Sequence, residues 1–119
     1  MILLKRAYEQ ADPSDGKRIL VDRLWPRGLK KEQAHLDLWL KEVTPTTQLR
    51  KWYGHEPERW PEFQQYYREE LQGNPMLKTL AQMAQQETIT LVYAAKNPSY
   101  SHANVLKQMI EEQDVSDIE

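Results

Sequence analysis

The chain has 119 residues, 39% of them hydrophobic and 29% charged, with a formal net charge of −2 at pH 7. This composition is typical of one globular domain, which we expect to span residues 1–119 with a frayed tail at 113–119. A chain with this charge has no overall positive field that would attract nucleic acid or anionic membranes. No apolar run approaches the ~20 residues of a membrane span. The absence of cysteine excludes disulfides and thiolate chemistry and favours a cytoplasmic location.

The first half of the chain predicts short strands. Ile2 to Arg6 and Lys17 to Asp22 are apolar runs of strand length, with a Pro- and Gly-containing turn between them. Leu29 to Ala34 predicts one or two helical turns. Residues 36–43 fit both a strand and a helix face, because their apolar residues recur at both spacings. We favour a short strand there, since Thr44-Pro45 ends any helix.

The second half predicts helices around one strand. A short helix begins after the cap Thr46-Thr47 and ends at Gly54, and a longer one follows over residues 60–71. Asn74-Pro75 opens the next helix. Thr88 to Ala95 is the clearest strand, and residues 102–112 predict a final helix. Because helices lie between strands, we predict an α/β fold, a small three-layer domain with a mostly parallel central sheet flanked by helices.

The segment at residues 18–28 changes from a buried strand to a polar loop within a few residues. Asp22, Arg23, Trp25 and Arg27 directly follow the apolar strand. Ligands of open α/β sheets gather at the carboxyl ends of the strands. If the last strand is a parallel neighbour, residues 96–102 open on the same side. The two loops are therefore predicted to form one candidate site.

Several blocks of this sequence resemble the YeaO-like family, catalogued as domain of unknown function number 488. The resemblance covers nearly the whole chain, and its most specific block runs from Val21 to Gly28. It implies a small bacterial-type three-layer α/β domain and no particular activity. In the family pattern His and Asn directly precede the position of His102, whereas this chain has Tyr100 and Ser101 there. The resemblance therefore supports no direct role for Tyr100 or Ser101. The other matching blocks are Asp15-Gly16, Leu49–Trp52, Arg59-Trp60 and Tyr93–Lys96.

Two arginines are the predicted anion ligands. Arg23 and Arg27 would hold a phosphate or carboxylate, since guanidinium groups match the geometry of both. Trp25 would form a wall of the pocket, and Lys96 and Tyr100 would help to close it. The alternative is structural, with Arg23 paired to an acid and Arg27 packed on a tryptophan ring.

Asp22 and His102 are the candidate catalytic residues, although the sequence leaves open whether the protein is an enzyme. We expect Asp22 to orient an arginine, because neighbouring arginines should lower its pKa and make it a poor base. His102 would close the pocket and act as acid or base, since histidine titrates near neutrality. Alternatively, Ser99 or Ser101 is only the helix cap and His102 is a solvated residue of the first turn.

The predicted ligand is therefore a small phosphorylated or carboxylated metabolite. No cofactor or metal is predicted, because the four glycines are not clustered and the three histidines lack ligand spacing. One alternative is a nucleic-acid-binding or regulatory protein, which the acidic composition disfavours. Another is a non-enzymatic protein-interaction module that uses an exposed tryptophan patch. The sequence leaves the oligomeric state open.

Overall fold

The computed structural model describes residues 1–114, so positions 115–119 of the predicted tail lie outside the described residues. Within this range the chain forms four strands, five α-helices and four short 3-10 turns. The strands are β1 (Ile2–Arg6), β2 (Lys17–Leu20), β3 (Leu38–Trp39) and β4 (Ile89–Tyr93). The helices are α1 (Lys31–Ala34), α2 (Thr47–Tyr53), α3 (Trp60–Leu71), α4 (Pro75–Gln86) and α5 (His102–Glu111).

The strands form one sheet in the order β1-β4-β2-β3, and all three pairings are parallel. The predicted three-layer α/β domain is confirmed. β2 and β4 are direct neighbours, with Leu20 opposite Val92, so the segments that follow them leave the sheet at the same edge. Residues 38–39 are a strand rather than part of a helix, as favoured from the sequence.

The central strands β2 and β4 are buried on both faces, which explains their continuous apolar runs. On one face, alternate residues such as Ile19 and Leu91 join the main core with α2, α3, α4 and α5. On the other face, Leu20 and Val92 pack against a smaller layer that includes Trp25. The central strands are therefore rigid supports for the loops that follow them.

The helix ends follow local chemistry that the sequence contains. The Thr46 hydroxyl accepts the Leu49 N–H at 3.2 Å, and Gly54 ends α2 in the left-handed region with φ 52°. Asn74 caps α4 through the Met76 N–H, with Pro75 at the first helical position. Ser101 caps α5, as its alternative interpretation predicted.

A buried ionic cluster supports the second face of the sheet. Asp15 is 4% exposed and Arg18 is 3% exposed, and their Oδ2 and Nη1 atoms lie 2.7 Å apart. Lys5 binds the other oxygen of Asp15 at 3.0 Å. The Arg18 guanidinium also donates twice to the Ala34 carbonyl, at 3.1 and 3.0 Å. The cluster thereby joins β1, the turn before β2, and α1.

Asp15→Asn should destabilise the protein by about 3–5 kcal/mol, because it leaves the Arg18 charge buried without its partner. Urea denaturation at pH 7 measures the loss. The control is Glu87→Gln, which breaks an exposed pair with Lys17 at 3.7 Å and should cost at most about 0.5 kcal/mol. Equal effects of the two substitutions would show that the buried cluster is not a special source of stability.

Candidate ligand-binding site at the carboxyl edge of the sheet

A cavity of about 610 Å³ lies where β2 and β4 end. Its walls come from residues 22–27 after β2, residues 94–102 after β4, part of α2 and single residues of other segments. All seven side chains singled out from the sequence line it: Asp22, Arg23, Trp25, Arg27, Lys96, Tyr100 and His102. The predicted meeting of the two loops is thus seen in the structure.

The cavity begins where the hydrogen-bond ladder between β2 and β4 is interrupted. The Val21 N–H donates to the Val92 carbonyl at 3.0 Å, and the next rung of a parallel ladder would join the Ala94 N–H to the Val21 carbonyl. Instead, Ala94 donates to Asp22 Oδ2 at 2.9 Å. The Val21 carbonyl accepts from His102 Nε2 at 2.7 Å. Two side chains therefore replace one rung, which is why both strands end earlier than the sequence patterns predicted.

The same contacts define the state of His102. A carbonyl oxygen can only accept, so the hydrogen bond to Val21 places a proton on Nε2. Nε2 also lies 3.3 Å from Asp22 Oδ1, and the His102 side chain is only 15% exposed. His102 is therefore a half-buried structural donor, and its interpretation as a solvated first-turn residue is wrong.

The environment of Asp22 corrects two expectations. Burial raises the pKa of Asp22, outweighing the nearby His102, the Ala94 N–H and the more distant Arg50, so the predicted lowering is wrong. Within residues 1–114 its oxygens contact Ala94 and His102, and no guanidinium. Asp22 therefore holds a strand end and does not orient an arginine. Its Oδ1 atom is buried without a hydrogen-bond partner in the same range.

The loop after β2 is held by polar contacts to its backbone and side chains. Arg23 Nε donates to the Pro45 carbonyl at 3.3 Å, and Trp25 Nε1 donates to the Leu29 carbonyl at 2.7 Å. The Tyr8 hydroxyl donates to the Arg27 carbonyl at 2.8 Å. The Arg27 guanidinium makes no ion pair, hydrogen bond or ring contact with any other described residue. Arg27 is exposed at the cavity wall, so its alternative of packing on a tryptophan ring is wrong. Arg23 is bound to a carbonyl and pairs with no acid in the range 1–114, so its alternative is wrong as well.

Helix α2 contributes side chains to the cavity that no sequence pattern indicated. Arg50 and Tyr53 of this helix line the cavity together with His55, which follows its end. The Tyr53 hydroxyl donates to the Tyr100 carbonyl at 2.9 Å and so ties α2 to the loop after β4. The spacing within α2 identifies its buried face, but no local pattern reveals which part of the sheet that face covers. Only tertiary packing brings Arg50 to the site.

The tryptophans bear on the alternative functions. Trp39 is 37% exposed and packs edge-on to Trp25, with ring centroids 5.6 Å apart. Trp52 is 36% exposed and contacts Tyr66 on α3. Trp60 is half-buried. Nucleic-acid binding and protein interaction through these rings stay predictions.

The described residues contain neither a metal-binding cluster nor a membrane-spanning helix. No three His, Cys, Asp or Glu side chains of residues 1–114 are grouped so that they could hold a metal ion. No helix in this range combines the length and apolar character needed to cross a membrane.

Comparison with known proteins shows which family the chain belongs to. Residues 1–117 match a family model described as the inactive DUF488-N3 subclade. The chain belongs to this family. It is 49% identical over 106 residues to the uncharacterised protein YeaO of Escherichia coli, covering 88% of this chain and 92% of that protein. It is 41% identical over 109 residues to an uncharacterised protein of Mycobacterium tuberculosis, covering 92% of each. No solved structure matches it. The YeaO-like resemblance is confirmed.

Asp22→Asn should gain stability relative to the wild type as the pH rises from 3 to 7. The pKa of Asp22 is raised by folding, so the native state binds more protons between the unfolded and folded pKa values and wild-type stability falls with pH there. Asparagine removes that titration and keeps an acceptor for Ala94. Urea denaturation across this pH range measures the difference.

Asp15→Asn is the control of opposite sign. Burial raises the pKa of Asp15, but hydrogen bonds from Asp12, Lys5 and Arg18 together hold it below its ordinary value. The stability that Asp15 contributes is present above its unfolded pKa and is lost as the pH falls through the folded one. The two variants should therefore diverge from the wild type in opposite directions with pH. The same slope for both would contradict the assignment for Asp22.

Proposed function

We propose that this protein binds a small anionic ligand, a phosphorylated or carboxylated metabolite, in the cavity at the carboxyl edge of its sheet. The supporting observation is the charge of the lining. Asp22 is the one carboxylate among the described residues that line the cavity. Four basic side chains line it as well: Arg23, Arg27, Arg50 and Lys96. This excess of positive charge occurs in a chain whose net charge is −2.

These basic groups are available to a ligand. Arg27, Arg50 and Lys96 are exposed, and none of them forms an ion pair with another residue in the range 1–114. Asp22 does not neutralise them by direct contact, because its oxygens face Ala94 and His102. Two free guanidinium groups and an ammonium group around one space suit the several oxygens of a phosphate or a polycarboxylate.

In this proposal the protein binds the ligand and does not convert it. His102 and Asp22 are the candidate catalytic residues of the sequence, but both are engaged in satisfying backbone groups of the separated strands. The description of the matched subclade as inactive supports the same conclusion. In this proposal the two residues position the loops, and the arginines bind the ligand.

The test is calorimetric titration of the full chain with pyrophosphate, citrate and inorganic phosphate at an ionic strength of about 0.15 M, where the Debye length is about 8 Å. The double substitution Arg27→Gln, Arg50→Gln should weaken binding of pyrophosphate and citrate by at least about tenfold, because each charge-assisted hydrogen bond is worth about 1.5–3 kcal/mol. Thermal unfolding without ligand checks that the double variant is folded.

The matched control is Lys51→Gln. Lys51 is an exposed residue on α2 directly after Arg50, but it does not line the cavity. The substitution removes one positive charge, as Arg50→Gln alone does, but it should change affinity by less than about twofold because charges outside the cavity are screened. Equal weakening by Lys51→Gln and by Arg50→Gln alone, or no binding of any of the three anions, would reject the proposed function.

A further inference from the structure

We infer that the ligand carries an aromatic ring as well as its anion, with Tyr100 as the surface on which the ring stacks. The inference rests on the proposed function and specifies the ligand class as aryl phosphates and nucleoside monophosphates. It comes from features of the cavity that the basic residues do not explain, namely its size and its aromatic lining.

The cavity is much larger than an inorganic anion requires. Its volume of about 610 Å³ falls within the range of roughly 300–1,000 Å³ of pockets that enclose whole small molecules. A single phosphate group bound to the arginines would leave most of this space to water. A ligand that fills it therefore needs a body attached to the anion.

The lining indicates the chemistry of that body. Besides the basic residues, five aromatic side chains line the cavity: Tyr8, Trp25, Tyr53, Phe63 and Tyr100. Tyr53 and Phe63 are buried and stack on each other at 4.3 Å, so they form a backing layer. Trp25 is partly buried in the smaller core layer and donates its indole N–H to the Leu29 carbonyl, and the Arg6 guanidinium lies 5.4 Å from the centroid of the Tyr8 ring.

Tyr100 is the ring that can accept a partner. Its side chain is 37% exposed, and its ring meets Trp60 edge-on, with centroids 5.8 Å apart and planes at 70°. Whichever ring presents its edge, Trp60 leaves at least one face of the Tyr100 ring uncovered. Its backbone carbonyl accepts the Tyr53 hydroxyl, which fixes the position of the residue. A fixed and exposed ring is a stacking platform for a planar group.

Two of the basic groups belong to the segments that hold Tyr100 in place. Lys96 is on the same loop as Tyr100, and Arg50 is on the same helix as Tyr53, the residue that binds the Tyr100 carbonyl. Both cations line the same cavity as Tyr100, so a ligand stacked on this ring would share the cavity with them. This arrangement suits a compact ligand in which one phosphate is joined to one ring by a short link.

The experiment compares anions that differ only in the ring. Calorimetric titrations of the full chain use methyl phosphate against phenyl phosphate, and ribose 5-phosphate against adenosine 5′-monophosphate. Each ring compound should bind about tenfold more tightly than its ringless partner, as expected for stacking on an aromatic side chain. A larger gain in the adenosine pair identifies a nucleoside ligand, and a larger gain in the phenyl pair identifies an aryl phosphate.

Variants assign the gain to Tyr100. Tyr100→Leu should abolish the preference for the ring while changing the affinity for methyl phosphate by less than about twofold, and Tyr100→Phe should retain the preference because it keeps the ring. Tyr66→Leu is the control, because Tyr66 is 43% exposed on α3 and does not line the cavity. It should leave both affinities unchanged.

The outcomes separate this inference from the proposed function. If phenyl and methyl phosphate bind equally and both depend on Arg27, the ring inference is overturned and anion binding stands. A ring preference that survives Tyr100→Leu overturns the assignment to Tyr100. If none of the four phosphates binds while pyrophosphate or citrate does, the ring inference is overturned and anion binding stands. If no anion of either set binds, the proposed function fails and the inference fails with it.

Discussion

The replacement of one backbone rung by two side chains is the constraint on which the site depends. Adjacent parallel strands can separate inside a protein only if their buried N–H and C=O groups find other partners. Asp22 supplies the acceptor for Ala94, and His102 supplies the donor for Val21. With both groups satisfied, the chain can leave the sheet on each side. The space between the diverging loops becomes the cavity.

This arrangement sets the electrostatics of the cavity. The carboxylate that the split requires is mostly withdrawn from water, and its pKa is raised by that burial. Three of the four basic side chains at the cavity, Arg27, Arg50 and Lys96, are exposed. The negative group therefore serves the fold at the base of the site, while the positive groups face the opening. The proposed ligand would meet the positive groups first.

Much of this organisation was predictable from local patterns. The apolar runs identified β2 and β4, and the helices between strands favoured parallel pairing, which together placed the two loops at one edge. The contacts of Asp22 were not predictable, because register decides that it meets Ala94. The expected lowering of its pKa assumed that neighbours in sequence are neighbours in space. Arg23 lies in the bend that follows β2, and its side chain reaches the Pro45 carbonyl instead of Asp22.

The shortness of β3 has a consequence for how this protein meets other molecules. It forms one border of the sheet with only two residues, Leu38 and Trp39, and the Trp39 indole is anchored to the Asp22 carbonyl at 2.6 Å. Long, flat edge strands act as templates that pair with strands of other chains, and very short edge strands do not. The exposed aromatic ring at this border therefore does not carry the usual hazard of fibril growth, since so little unpaired backbone accompanies it.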